Sequence, residues 1–186
     1  VTCNGVLHHM EDPDGVMAVV SASLRRGAHL YLMVIGKGGI VRDFVMHTLR
    51  DFYANDGAFR AFMNGDPEEM VMAVRRALRS LVVDRDSPLA EPYAELLSIV
   101  GAGIDVDLML TLKDRVTSPI YREYDLAMAE AMLGKFGLTL VQRVYPAPRF
   151  TNLRAILEPV YAHPEQPLSR ALMGGGNLHM LARKAR

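Results

Sequence analysis

Two adjacent histidines, His8 and His9, follow a short apolar run and precede the acidic stretch Glu11-Asp12-Pro13-Asp14-Gly15. A histidine side chain titrates near neutral pH and can take a proton from a hydroxyl or an amine, so His9 is a candidate general base. At the carboxyl end of a strand, one histidine can border a bound ligand while the other caps the loop that follows. Metal binding is served less well. It needs a third ligand, and neighbours on extended chain point to opposite faces, so His8, His9 and Asp12 make a poor set and no metal is expected.

The elements that would position these residues can be read from the surrounding pattern. Val1 to Leu7 is apolar apart from Thr2, Asn4 and Gly5, which suits a buried parallel strand whose end opens onto a crevice. Asp12 before Pro13 is a helix-start signal, because the carboxylate can cap free N–H groups and proline at the first position gives up a donor that has no partner there. Val16, Met17, Val20 and Leu24 recur at helical spacing, Arg25 and Arg26 fall where a last turn is expected, and Gly27 offers a left-handed stop. Leu30 to Ile35 is then a second apolar strand. A strand, a helix and another strand in so few residues imply a parallel pair with a right-handed crossover.

After Gly36-Lys37-Gly38-Gly39 the pattern becomes helical for about sixty residues. The glycines lack the spacing of a phosphate-binding loop and read as an exit from the strand. Val41, Val45, Leu49 and Phe52 keep one face, ending near Asn55-Asp56-Gly57. Asp66-Pro67-Glu68-Glu69 repeats the capping logic and launches Met70, Val71, Val74, Leu78 and Leu81. Ser87-Pro88 opens a third helix, with Tyr93, Leu96, Leu97 and Val100 on its face and a break at Gly101-Ala102-Gly103. The segment Asp105 to Ile120 is the least regular, with DRVTSPIY reading as an exposed loop and not another helix. Leu126 to Phe136 resumes helical periodicity up to Gly137. Leu138 to Tyr145 and Leu178 to Arg183 read as a closing antiparallel strand pair, the second entered through a Gly174-Gly175-Gly176 turn.

Composition sets outer bounds. A chain of 186 residues, half of them hydrophobic, can bury a sizeable core, and residues 1–186 are expected to form a single domain. Lys+Arg and Asp+Glu are both 21, so no global charge points to nucleic acid or an anionic membrane. The single cysteine, Cys3, cannot form an internal disulfide, and no apolar segment reaches the ~20 residues a membrane helix needs. A cytoplasmic protein is expected. Twelve methionines suggest adaptable apolar packing under the central helices.

The run CNGVLHHMEDPDGVMAVVSASLRRGAHLYL resembles the fourth strand, following helix and fifth strand of class I S-adenosylmethionine-dependent methyltransferases. The later helix ending in Phe136-Gly137 and the closing strand pair are similar to that family's pattern, and DRVTSPIY is similar to a substrate-side segment of some small-molecule members. The resemblance implies an α/β, Rossmann-like methyltransferase sheet in part, with a helical lid inserted over 42–116. It implies S-adenosylmethionine as cofactor, lined by Asn4, Gly5, Val6, Leu7 and His8, with Gly5 allowing close backbone approach. Arg42 and Tyr121, the latter with Arg122 and Tyr124 beside it, are expected toward a small-molecule methyl acceptor. Because the chain begins in mid-strand, the family's glycine-rich loop and ribose-binding acid are expected before Val1. On that expectation the stretch by itself is inactive and prone to self-association. Two alternatives stand beside methyl transfer. One is an interaction module built on a shortened methyltransferase domain. The other is a different Rossmann-type enzyme such as a nicotinamide dehydrogenase, for which no Tyr-x-x-x-Lys motif is present. HHMEDPDG also comes near the HHxxxDG of peptide-synthetase condensation enzymes, but its Asp14-Gly15 falls one residue late.

Overall fold

The computed structural model describes residues 1–81, 86–145, 149–163, 165–174 and 176–185, with the side chains of Val41 and Arg42 outside that description. The class is α/β, built on a four-stranded mixed sheet. The chain divides into two compact units. One comprises Val1–Val45, Ser118–Ala147 and Pro159–Arg186; the other comprises Met46–Thr117 and Pro148–Glu158. No helix among the described residues is long and apolar enough to cross a membrane.

In the first unit, β1 (Thr2–Asn4) pairs in parallel with β2 (His29–Ile35), Cys3 opposite Leu32. The crossover is α1 (Pro13–Ser23). Its start follows the sequence pattern: Asp12 Oδ1 accepts the N–H of Gly15 at 2.8 Å, with Pro13 at the first position. Gly15 leaves room for this cap, because a Cβ there would lie 2.2 Å from Asp12 Oδ2. The helix ends earlier than the sequence suggests. Ser23 is its last residue, so Arg25 and Arg26 lie in the turn beyond it, and Gly27, at φ 76°, instead donates its N–H to the Lys184 carbonyl.

Further on, α7 (Leu126–Lys135) is capped by Asp125, which accepts the Met128 N–H at 2.7 Å. It leads into β3 (Leu138–Val144), and β4 (Asn177–Lys184) closes the sheet. The last strand enters antiparallel between β2 and β3, giving the order β1-β2-β4-β3, with an irregularity between Leu140 and Gln142. One face carries the core: Leu30, Leu32, Val34, Leu178, Met180 and Ala182 pack with Leu7, Met17, Leu24 and Leu133.

Two sequence expectations are corrected here. The strand expected over Val1 to Leu7 stops at Asn4, because Gly5 sits at φ 71°, where L side chains are strained, and turns the chain off the sheet. Leu7–His9 form a single 3₁₀ turn, so the two histidines are not on extended chain. The second correction concerns the glycines around β2 and β4. Gly36 N–H donates to the Gly176 carbonyl at 3.0 Å, and a Cβ on Gly39 would lie 2.3 Å from the Met173 carbonyl carbon. A Cβ on Gly174 would lie 2.1 Å from the Gly38 carbonyl oxygen. The two glycine segments form a backbone-on-backbone junction, and what read as a loose exit is a packed contact. Gly175 lies outside the described residues.

The second unit is helical. The helix α2 (Ile40–Asn55) enters it and is followed by α3 (Gly57–Asn64), α4 (Pro67–Ser80), α5 (Ala90–Gly103) and α6 (Val106–Thr117). Asp66 caps α4 as the sequence indicates, accepting from Glu68 and Glu69. Ser87 precedes α5 and its hydroxyl accepts the Leu89 N–H, but the helix continues through Gly101 to Gly103. The α3 helix is absent from the sequence reading; Asp56 caps it through the N–H groups of Ala58 and Phe59. The reading of Asp105 to Ile120 as irregular is overturned, since Val106–Thr117 form α6, which takes in the first half of DRVTSPIY. Val116 is 1 % exposed, and burying it outweighs the weak helix preference of a Val-Thr pair. This unit's core is Met46, Met63, Met70, Val71, Ile104, Met109 and Val116.

Candidate functional site

In open α/β sheets, ligands lie beyond the carboxyl ends of the parallel strands. Here those ends are Asn4 and Ile35, and one segment crosses both. Arg122 N–H donates to the His8 carbonyl at 2.9 Å, Tyr124 N–H donates to Ile35 at 2.8 Å, and Lys37 N–H donates back to Tyr124 at 2.9 Å. Tyr124 thereby forms a parallel bridge with Gly36. The stretch Ser118 to Tyr124 thus roofs the turn after β1.

Under that roof the 3₁₀ turn brings its two imidazoles together at a tilt of 53°, with ring centroids 4.1 Å apart, and Tyr121 stands 6.4 Å from each. His8 is 3 % exposed and His9 is half-buried. His9 Nδ1 lies 3.0 Å from the Ile120 carbonyl oxygen and 2.8 Å from Ser118 Oγ; the Ser118 hydroxyl also reaches the Ile120 carbonyl at 2.8 Å. Arg122 adds a guanidinium bond to the Glu11 carbonyl at 3.0 Å, fastening the roof to the chain beyond the histidines.

Of the residues singled out from sequence, the fold brings His8, His9 and Tyr121 together, with Asn4, Gly5 and Val6 leading into the turn. Asn4 is exposed, Val6 is partly open to solvent, and Leu7 is fully buried in the sheet core. Leu7 anchors the turn, and only its backbone is left to face a ligand. Arg42 lies on α2, and its side chain is outside the described residues. Sequence reasoning missed Ser118 and the Ile120 carbonyl; the only signal was their place in the DRVTSPIY segment.

Beside this cluster a cleft of about 390 Å³ opens between the start of α1 and α7, lined by Asp14, Arg122, Glu123, Tyr124, Met128 and Met132. The Tyr124 hydroxyl is buried at its inner edge with no hydrogen-bond partner among the described residues. Burial raises its pKa; Asp14 adds to the rise and Arg122 opposes it, so the phenol is kept neutral. The helical unit has a larger cleft of about 640 Å³ between α4 and α5. Its lining is apolar apart from Ser98, Arg75 and Arg79, and Arg75 donates to the carbonyls of Gly101 and Ile104, so it holds the end of α5. Among the described residues, no three His, Cys, Asp or Glu side chains are grouped to hold a metal ion. The only cysteine, Cys3, is buried in β1, and burial raises its thiol pKa, which disfavours the reactive thiolate.

The arrangement therefore offers one oriented imidazole, one phenol and a half-buried glycine turn at the end of a parallel strand pair. The chain matches no protein-family model and no curated protein.

Proposed function

We propose that this chain serves S-adenosylmethionine-dependent methyl transfer to an O, N or C nucleophile of a small molecule. One observation carries the reading: Ser118 to Tyr124 roofs the carboxyl ends of both parallel strands and meets His8 and His9 there. The parallel pair with its helical crossover and the closing antiparallel strand lend support, being what the methyltransferase resemblance of the β1–α1–β2 sequence implies.

The residues present fit the cofactor's methionine end. Gly5, at φ 71° and with the Met33 side chain where its Cβ would point, carries the turn after β1, and Asn4, Val6 and the His8 turn border it. When bound, S-adenosylmethionine supplies a methyl group activated on a sulfonium sulfur. The protein's own work is alignment and proton handling. His9 accepts the proton that a hydroxyl or amine acceptor releases, while Tyr121 and Arg42 are assigned to the acceptor side.

Calorimetric titration of S-adenosylmethionine into the full-length folded protein tests the cofactor assignment. Binding is expected, and Gly5→Val is expected to weaken it about tenfold or more, because a side chain at φ 71° is strained and would press on Met33, displacing the turn. No binding to the folded full-length protein sinks the reading, and binding of a nicotinamide cofactor in its place supports the dehydrogenase alternative. Transfer of labelled methyl to a panel of hydroxyl and amine acceptors tests the chemistry. His9→Gln is expected to lower kcat about 100-fold while leaving cofactor affinity unchanged.

A further inference from the structure

We infer that the cleft between α4 and α5 binds a small molecule carrying one carboxylate on an apolar body, with Arg79 holding the carboxylate. The room comes from residue size on α5. Ala94, Leu97, Ser98, Gly101 and Ala102 recur at helical spacing, so the face that lines the cleft carries four small residues and a single leucine. Leu78 and Leu81 stand on the α4 side, and the space left is about 640 Å³, within the range of small-molecule sites. A Cβ built on Gly101 would lie 3.9 Å from Leu78 Cδ1, an ordinary contact distance. A tight helix crossing is therefore not what that glycine serves.

The charge of the cleft is one-sided. Arg75 and Arg79 stand one turn apart on α4, and no Asp or Glu is among the described residues that line the space. Arg75 is committed, since its Nε donates to the Gly101 carbonyl at 2.9 Å and its Nη2 to the Ile104 carbonyl at 2.7 Å. Arg79 is not. It is exposed and has no hydrogen bond or ion pair with any described residue. Its place in the last turn of α4 suits the helix dipole, but the like charge of Arg75 on the same face works against it, and an anion in the cleft removes that conflict. A guanidinium binds a carboxylate side-on through two parallel N–H bonds, so one uncommitted fork matches one carboxylate. The Ser98 hydroxyl, exposed and without a partner among the described residues, adds a donor from the facing helix. The body of the ligand then lies on Leu78, Leu81 and Leu97, where burial of apolar carbon supplies the rest of the affinity. A cationic ligand of the same shape would meet two guanidinium groups.

The site lies within the helical unit and does not rest on the methyl-transfer reading. Octanoate is the probe, titrated into ¹⁵N-labelled full-length protein, with octanol and octylammonium as uncharged and oppositely charged counterparts. Octanoate is expected to shift the amides of Ala94, Ser98 and Gly101 and to bind about tenfold or more tightly than octanol, while octylammonium does not bind. Arg79→Gln should bring octanoate down to the affinity of octanol. Ser98→Leu, which fills the cleft from an exposed position, should abolish binding of both. No shift at those amides overturns the inference, as does octanol or octylammonium binding as tightly as octanoate, or an Arg79→Gln variant that binds octanoate like wild type. If Ser98→Leu does not fold, Arg79→Gln decides, because it removes a side chain that holds nothing else among the described residues.

Discussion

The two units solve the problem of a core in different ways. In the α/β unit the fifteen residues of the buried cluster include only three methionines, Met17, Met132 and Met180, and the rest are mostly branched aliphatic side chains fixed by strand pairing. In the helical unit four of the seven are methionines: Met46, Met63, Met70 and Met109. Strand register leaves little freedom for a side chain, so shape must match; helices that meet only through side chains can be filled by flexible thioethers. The sheet unit is held by contacts distant in sequence, while the helical unit relies more on elements capped within a few residues of their own starts.

The sharpest way to break this contrast is at the glycine junction. Gly39→Ala and Gly174→Ala each drive a Cβ into backbone that has no flexible end to move aside, at positive φ in both cases. A loss on the order of 3 kcal/mol or more is expected for either. In hydrogen exchange the loss should fall on β2 and β4 amides while α4 and α6 keep theirs. Equal loss in both units would erase the distinction.

Truncation of one core side chain in each unit should separate the two kinds of packing. Leu32→Ala and Met70→Ala both empty fully buried sites. About 4 kcal/mol is expected for Leu32, whose neighbours are pinned by register, and about 2 kcal/mol for Met70, where thioether neighbours can relax into the space. Urea unfolding of both variants checks this, and a larger loss at Met70 contradicts the comparison.

Acid should weaken the sheet unit through His179. Tyr31 Oη lies 2.7 Å from its Nδ1, and burial, with Arg143 beside it, lowers the histidine's pKa below its ordinary value of 6.5. The unfolded chain therefore takes up the proton first, so stability falls as the pH drops through about 6.5 toward the lower folded value. His179→Gln should flatten the stability profile in that window. Asp125, held below the usual carboxylate range by the Met128 N–H, acts only at more acidic pH, so the two are separable.

The smallest effects should be the same in both units. Asp12→Ala and Asp66→Ala each remove a side-chain cap from a helix start, α1 in one unit and α4 in the other. About 1 kcal/mol is expected from each. Thermal unfolding that shows one far costlier than the other would mean that the caps carry tertiary work as well.

The sequence was sufficient for whatever is decided within a few residues. Asp12-Pro13 and Asp66-Pro67 announce their helices because a cap and the N–H groups it satisfies are three residues apart or fewer, and the helix from Leu126 shows in its apolar periodicity. The parallel β1–β2 pair follows from the single crossover a strand-helix-strand run permits. Tertiary structure alone decided the rest. Val116 is helical because it is buried, Gly39 and Gly174 are needed because two distant backbones touch, and His9 finds Ser118 because a later segment roofs the strand ends. Local chemistry sets where an element starts; which distant atoms come within 3 Å of a histidine depends on how the whole sheet closes, and no spacing along the chain encodes that distance.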